Sequence, residues 1–447
     1  MRQSRTRRLA GNGCSGSGKL VAAILLTACT AAGGDGPSGF SVTDSAGVEI
    51  VRNGATGALP PAALDSSVRV LRIGAIDGPP ELQFFRVSAM AIDDENNIYV
   101  VDAGHAEVRV FDAAGTFLRR FGRRGRGPGE FEFPSGIWAH GDTVFVADTR
   151  LIRMSIFDRT GRDAGTIPLG GVRAGRVFPV RPVPGGWIAL PWEVPAGFPY
   201  EHGVVRNDTS RIVWTASLEE LVALDARAPA AVAPAATAVR ELVTMVSGRR
   251  VGNQTPIFMS SFAPLFEPEP RYAVDGRGRV YFSTSADYVI DVYDTSGTHV
   301  RRLTRAYSPI PITDALIGRF ADLARAHWDT ASMQGEAAAG KANDEARIRT
   351  ATVPALPPIG RMLASAEGTL WVERRDLVPD PVALEWTRGP NEPYATKWDV
   401  FDPEGRFLGT VTLPPTFSPR VVGESWALGI ERDELDVEHV ARYEIRR

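Results

Sequence analysis

The chain has 447 residues, a length that one ordinary hydrophobic core does not fill unless the core is built from repeats. Hydrophobic residues make up 44% and charged residues 23%, which excludes a fibrous or wholly disordered chain and fits a soluble globular one. The formal net charge of −3 supplies no global field for nucleic acid, and lysine occurs only at positions 19, 341 and 397, so arginine clusters reflect composition before chemistry.

The chain opens on Arg2, Arg5, Arg7, Arg8 and Lys19, followed by the apolar run Leu20–Leu26 and the small residues before Cys29. A basic start, a short apolar run and a small-residue cut site describe a secretory signal over 1–29. The run is far shorter than the roughly 20 residues a spanning helix needs. Leu26-Thr27-Ala28-Cys29 resembles a bacterial lipobox. That resemblance implies lipid attachment at Cys29 and a membrane-anchored, exported protein. Thr30 rather than Asp follows the cysteine, which matches sorting to the periplasmic or cell-surface side of the outer membrane. The alternative is ordinary cleavage near Ala28 or Ala32, which leaves a free protein. The two cysteines are Cys14 and Cys29, so a lipid-anchored form has no disulfide in its folded part. Residues 30–46, rich in Gly and small polar residues at their start, suit a flexible tether.

Residues 47–447 carry a repeat. Its first full copy is Ile98–Gly122, where Ile98–Val101, Val108–Phe111 and Phe117–Phe121 read as three short strands with alternating apolar positions. An aromatic-Asp-x-x-Gly turn marks each unit: Phe111 to Gly115, Phe157 to Gly161, Tyr293 to Gly297 and Phe401 to Gly405. The first two copies lie 46 residues apart, the spacing of propeller blades. The longer gaps hold a degenerate third unit (Val177–Arg181, Trp187–Leu190, Gly203–Val205, Arg211–Ala216) and two insertions, about 217–262 and 309–355. Both insertions carry helical spacing: Val239, Leu242 and Val243 in the first, Leu316, Ile317, Phe320 and Leu323 in the second. Thr313 or Asp314 is positioned to cap the second. A sixth unit near the C-terminus lacks its last strand. Arg69–Ile73 reads as that strand, because Leu71–Leu82 lines up with the stretch from Leu118 to Phe131. Such a closure removes exposed sheet edges. Val48–Val51 is a further edge strand expected near the closure. The fold class is therefore all-β, a six-bladed β-propeller of four-stranded antiparallel blades with two partly helical insertions.

Gly125-Arg-Gly127-Pro-Gly129-Glu-Phe131, Val144–Asp148 and Ile156–Gly161 together resemble the NHL-type repeat. From about residue 40 the chain is similar to bacterial six-bladed β-propeller proteins of that group, many of them lipoproteins. The resemblance implies a fold and no single activity, because propellers host unrelated functions.

Candidate site residues are few. Asp102 and Asp148 recur ten residues before Asp112 and Asp158, with Thr284 at the place of the fourth unit. Recurrence at a turn points to bonding of backbone amides, and the alternative is a carboxylate ring around a cation. The six histidines (105, 140, 202, 299, 327, 439) show no local zinc spacing, and neither a Gly-x-Ser-x-Gly elbow nor a phosphate loop occurs. No cofactor is expected, with Ca²⁺ or Zn²⁺ in the central channel the open alternative. Arg123, Arg124 and Arg126 form a basic connection suited to a polyanion, with a solvated loop as the plainer reading. Trp192, Glu193 and Glu373 place aromatics beside carboxylates, as in a small-molecule pocket. Catalytic residues are not assigned. The expectation is a monomeric binding scaffold for a protein, peptide or glycan partner, held to a membrane by lipid and not contacting nucleic acid. The alternative is a metal-dependent hydrolase or lyase of the gluconolactonase-like kind.

Overall fold

The computed structural model describes residues 39–60, 67–168, 178–183, 186–190, 203–207, 213–215, 240–247, 258–262, 266, 268, 271–318, 321–322, 354–375 and 397–445. The chain enters through β1 (Ser41–Ser45) and β2 (Val48–Asn53), then β3 (Ser67–Ile73). Blade one is β4 (Val87–Ile92), β5 (Ile98–Asp102), β6 (Glu107–Phe111) and β7 (Phe117–Phe121). Blade two is β8 (Pro134–His140), β9 (Thr143–Asp148), β10 (Arg153–Asp158) and β11 (Asp163–Pro168). Then come β12 (Phe178–Val183), β13 (Gly186–Leu190), β14 (Gly203–Asn207), β15 (Val213–Thr215), β16 (Arg240–Ser247) and β17 (Phe258–Phe262). Blade four is β18 (Arg271–Val274), β19 (Val280–Ser283), β20 (Val289–Tyr293) and β21 (His299–Arg305). Blade five is β22 (Ile359–Ala364), β23 (Leu370–Arg374), β24 (Lys397–Phe401) and β25 (Phe407–Thr412). Blade six is β26 (Phe417–Val422), β27 (Trp426–Arg432) and β28 (Glu438–Ile445), completed by β3.

That last pairing is the expected closure. β3 runs antiparallel to β28, with Ile73 opposite Val440 and Ser67 opposite Ile445. Arg69 reaches Glu431 of blade six at 2.6 Å, and the Val87 amide of blade one donates to Glu438 at 2.6 Å. The first strand of each blade is the inner one: β26 lies beside β4 and β22, β4 beside β8, and β18 beside β22.

The Asp turns explain the repeat. Asp112, Asp158, Asp294 and Asp402 each accept, through Oδ1, the amides two and four residues on. The closing glycines Gly115, Gly161, Gly297 and Gly405 all have φ between +82° and +87°, which favours glycine strongly. Gly115, Gly161 and Gly405 also lie against the outer strand of the preceding blade. A Cβ on Gly161 would stand 2.7 Å from Phe121, one on Gly405 2.2 Å from Leu303, and one on Gly115 2.8 Å from Leu71. The motif is thus both a turn and an inter-blade contact. The aromatic before each Asp is buried: Phe111, Phe157, Tyr293 and Phe401. Each such burial stabilises by roughly 1.5–3 kcal/mol.

Four expectations need correction. Gly203–Val205 is not a strand of blade three: β12, β13 and β15 form that sheet, while β14 pairs with β16. The helical spacing at Val239, Leu242 and Val243 gives way to strand β16, paired on both sides by β14 and β17. A run containing Val243, Thr244 and Val246 suits a strand once partners exist, and pairing overrides the weak local signal. Val48–Val51 is not near the closure. β2 runs parallel to β21 on the outer edge of blade four, where Val51 is buried against Leu303 and Ile290. The second insertion does begin as a helix over 314–318, and Thr313 Oγ1 accepts the Leu316 amide as its cap. Within the stretch 30–46 expected as tether, Ser41–Ser45 is strand β1, paired antiparallel with β2; residues 217–239, 248–257, 319–320 and 323–353 of the insertions, residues 30–38 and Cys29 lie outside the described residues.

A candidate pocket at the connector end of blades four and five

Antiparallel order from inner to outer strand puts two kinds of segment at one end of each blade. These are the turns between second and third strands and the connections to the next blade. At this end Asp102 and Asp148 do what the repeat implied. Asp102 is buried and accepts the Phe85 and His105 amides at 2.9 and 3.1 Å. Asp148 accepts four amides, from Glu132, Phe133, Arg150 and Leu151, at 2.7–3.0 Å. Each carboxylate pins the incoming connection to its own blade.

Blade five breaks this rule. Ile98 pairs with Phe111, Val144 with Phe157 and Leu370 with Phe401, so the position four residues on is Asp102, Asp148 and then Arg374. A cation stands where blades one and two place a carboxylate. Arg374 turns instead to Thr410 (3.1 Å) and to Asp399 (3.7 Å). Asp399 is fully buried on β24 and also faces Arg305 at 3.3 Å. Tyr288 Oη donates to Asp399 at 2.6 Å, and Thr410 Oγ1 donates to it at 2.6 Å. Burial pushes the Asp399 carboxyl above its ordinary value, against the pull of the two guanidiniums. Burial, then the Asp399 charge, pushes the Tyr288 phenol well up, so it stays a donor.

In front of this cluster lies a pocket of about 570 Å³, lined by Tyr288, Arg305, Tyr307, Ile310, Arg374 and Arg375 among others. That volume falls in the range of about 300–1,000 Å³ typical of small-molecule sites. The Arg305 guanidinium is held by cation–π contacts with Phe407 (4.3 Å) and Tyr288 (5.4 Å), and its Nε is buried without a hydrogen-bond partner among the described residues. The Tyr288 and Tyr307 rings lie 6.0 Å apart at 51°. The entering segment forms one wall: the Ala306 amide donates to the Asn53 carbonyl at 2.9 Å, and Ala55 is a lining residue. Arg305 and Arg374 face the buried carboxylate Asp399, and Arg375, which acts electrostatically on Glu373, also lines the pocket.

The expected candidates fall elsewhere. Arg123 pairs with Glu130 (2.8 Å) and Arg126 with Glu132 (2.6 Å), while Arg124 donates to the Gly104 carbonyl at 2.8 Å. The loop's positive charge is largely offset inside the loop. Glu373 is buried on β23 and accepts from the Arg361 amide at 2.8 Å and from its side chain at 3.2 Å. Burial alone would raise its carboxyl, but the Arg361 charge and hydrogen bonds outweigh burial and hold it below the ordinary value. It is a structural partner of Arg361 beside the pocket, one residue short of the position that matters. Trp192 and Glu193 lie outside the described residues. Among the described residues no three His, Cys, Asp or Glu groups gather as a metal site, and no helix is long and apolar enough to cross a membrane.

Residues 81–161, covering blade one and most of blade two, match the DUF5128 family, described as a 6-bladed beta-propeller. No curated protein matches the chain. Among solved structures, a DUF4221-family member from Bacteroides vulgatus is 10% identical with a TM-score of 0.46, covering 86% of this chain and 98% of that one. Virginiamycin B lyase from Staphylococcus aureus is 9% identical, TM-score 0.38, covering 85% and 99%. The calcium-binding protein regucalcin from Agrobacterium tumefaciens is 11% identical, TM-score 0.33, covering 85% and 96%. With its matching first blades, its repeated Asp turns and a sixth blade closed by β3, the chain is a six-bladed β-propeller protein.

Proposed function

We propose that the protein is an exported, lipid-anchored propeller that binds a ligand through the arginine- and tyrosine-lined pocket between blades four and five. The observation that carries this is the charge reversal at Arg374. Where Asp102 and Asp148 seal their connections onto backbone amides, Arg374 leaves a pocket lined by cations and tyrosines. Rigid blades on either side hold such a site in place with little reorganisation on binding. The lipid anchor rests on the order Leu26-Thr27-Ala28-Cys29.

Two measurements test this. Labelled fatty acid supplied to cells should appear on the wild-type chain and vanish in Cys29→Ser, with release from the membrane fraction. Unchanged membrane retention and mass in the variant would remove the anchor. For the pocket, a ligand screen by thermal shift should find compounds whose stabilisation is lost in Arg375→Gln. Hits that all survive the substitution would place the binding site elsewhere.

A further inference from the structure

We infer that the connector end of blades six and one is a docking surface for a polypeptide that presents apolar side chains flanked by lysine or arginine. The most exposed large apolar side chains among the described residues are Leu435 (74%), Phe85 (61%) and Ile76 (60%). All three lie at this end: Ile76 and Phe85 in the connection from β3 to β4, Leu435 in the turn between β27 and β28. The other exposed ones, Val42, Val70 and Leu118, are spread over the edge and outer strands β1, β3 and β7. Scattered apolar side chains need no explanation, whereas a group of them on neighbouring segments marks a contact surface. These segments are neighbours. A Cβ on Gly74 would stand 2.9 Å from His439 Nδ1, and the Val87 amide, two residues past Phe85, donates to Glu438 at 2.6 Å.

Both segments are braced from within. In the connection, the Ala75 amide donates to the Leu82 carbonyl at 2.9 Å, Gln83 Nε2 donates to the Gly78 carbonyl at 2.8 Å, and Pro80–Leu82 forms a 3₁₀ turn. In the turn, Asp433 Oδ1 accepts the Leu435 and Val437 amides, both at 3.0 Å. The apolar side chains are thus held outward, and binding orders little further chain. Charge selects the partner. The carboxylates of Asp77, Glu81 and Glu434 have no partner among the described residues. The cations around them are engaged: Arg72 faces Asp433 at 3.7 Å, and Arg432 pairs with Asp436 (3.0 Å) and Glu438 (2.7 Å). Beneath the connection, Arg109 pairs with Glu107 and Asp102, and His105 with Asp102. Arg86, whose guanidinium lies over the Phe133 ring at 5.9 Å, offsets one of the three free carboxylates. An apolar surface with a negative excess attracts cationic side chains and repels anionic ones, an anionic lipid surface included.

The test uses the full-length protein in non-ionic detergent, with protein-free micelles as the blank, and fluorescence anisotropy of labelled peptides. The probes are an amphipathic peptide of leucine and lysine, its leucine–glutamate counterpart, and a serine–lysine counterpart without an apolar face. The leucine–lysine peptide should bind about ten-fold or more tighter than either counterpart and weaken as salt rises. Leu435→Ser and Ile76→Ser, both at exposed positions, should each weaken it at least about five-fold with the thermal midpoint unchanged. Asp77→Asn combined with Glu434→Gln should weaken it and flatten its salt dependence, while Val70→Ser, on an outer strand, should cost less than about two-fold. No binding of the leucine–lysine peptide, equal binding of a counterpart, or binding that survives Leu435→Ser would overturn the inference. Two other occupants are read directly, and either would also overturn it. A dimer in sedimentation that Leu435→Ser abolishes would place a second copy of the chain on this surface. Quenching of a fluorophore at Leu435→Cys by spin-labelled lipid in phosphatidylcholine nanodiscs would place the bilayer there.

Discussion

Tyr288 and Asp399 lie 111 positions apart in the sequence, yet the Tyr288 phenol donates to the Asp399 carboxylate at 2.6 Å across the boundary between blades four and five. Both groups are buried, and the bond fixes the back of the pocket. Tyr288→Phe should therefore destabilise the protein by about 1.5–3 kcal/mol, the cost of removing a donor from a buried charged acceptor. Urea unfolding checks this; an unchanged midpoint would mean that Thr410 and the two arginines suffice for Asp399.

Asn53 is the clasp of the entering strand. Its amide nitrogen donates to the carbonyls of Thr304 (3.2 Å) and Gly405 (3.0 Å), and its oxygen accepts the Phe407 amide at 2.8 Å. One side chain thus ties β2 to blades four and five. Asn53→Ala should cost roughly 2–3 kcal/mol, because it removes three hydrogen bonds, those to the Gly405 carbonyl and the Phe407 amide being buried. Hydrogen exchange should rise first at Phe407 and along β2.

Gly161 and Gly141 separate conformation from crowding. Both have positive φ, +87° and +56°. A Cβ on Gly161 meets Phe121 at 2.7 Å, whereas one on Gly141 meets nothing within 4 Å. Gly141→Ala should cost about 1–2 kcal/mol, the left-handed penalty alone. Gly161→Ala should cost at least about 1 kcal/mol more, since Phe121 must move. Equal losses in thermal midpoint would show that the inter-blade contact yields freely.

Stability should fall steeply above about pH 10. Burial raises the Tyr99 and Tyr293 phenols to about 12, with the nearby carboxylates Asp93 and Asp291 adding to it. Tyr443, with Glu431 beside it, is also raised to about 12, and Tyr281 is raised further. An unfolded tyrosine ionises near pH 10, so folding holds protons that the unfolded chain has released. The stabilisation is complete below pH 10 and is lost as pH climbs towards 12. Thermal midpoints at pH 8, 9.5 and 11 should be similar for the first pair and markedly lower at 11. A flat profile would mean that these phenols ionise in the folded state without penalty.

Much of the fold was legible in the chain because its causes are local. The aromatic-Asp-x-x-Gly turn needs an acceptor for two amides and a glycine at positive φ, and both requirements show as residue types at fixed spacing. The closure by Arg69–Ile73 was legible because one blade connection echoes another. The pocket leaves a fainter trace in the chain. Aligning Ile98–Asp102, Val144–Asp148 and Leu370–Arg374 exposes an arginine in place of a repeated carboxylate, whereas the aromatic-beside-carboxylate pattern points to Glu373, one residue away.

The sequence by itself determined the blade unit, its number and its closing strand, since strand alternation and turn chemistry act over a few residues. Only the tertiary structure decided where β2 attaches, that Gly203–Asn207 leaves blade three, and that Tyr288, Arg305, Arg374 and Asp399 meet. Those outcomes depend on which free edge or buried charge lies nearest once the blades pack. Contacts between residues about a hundred positions apart leave no periodic trace in the chain.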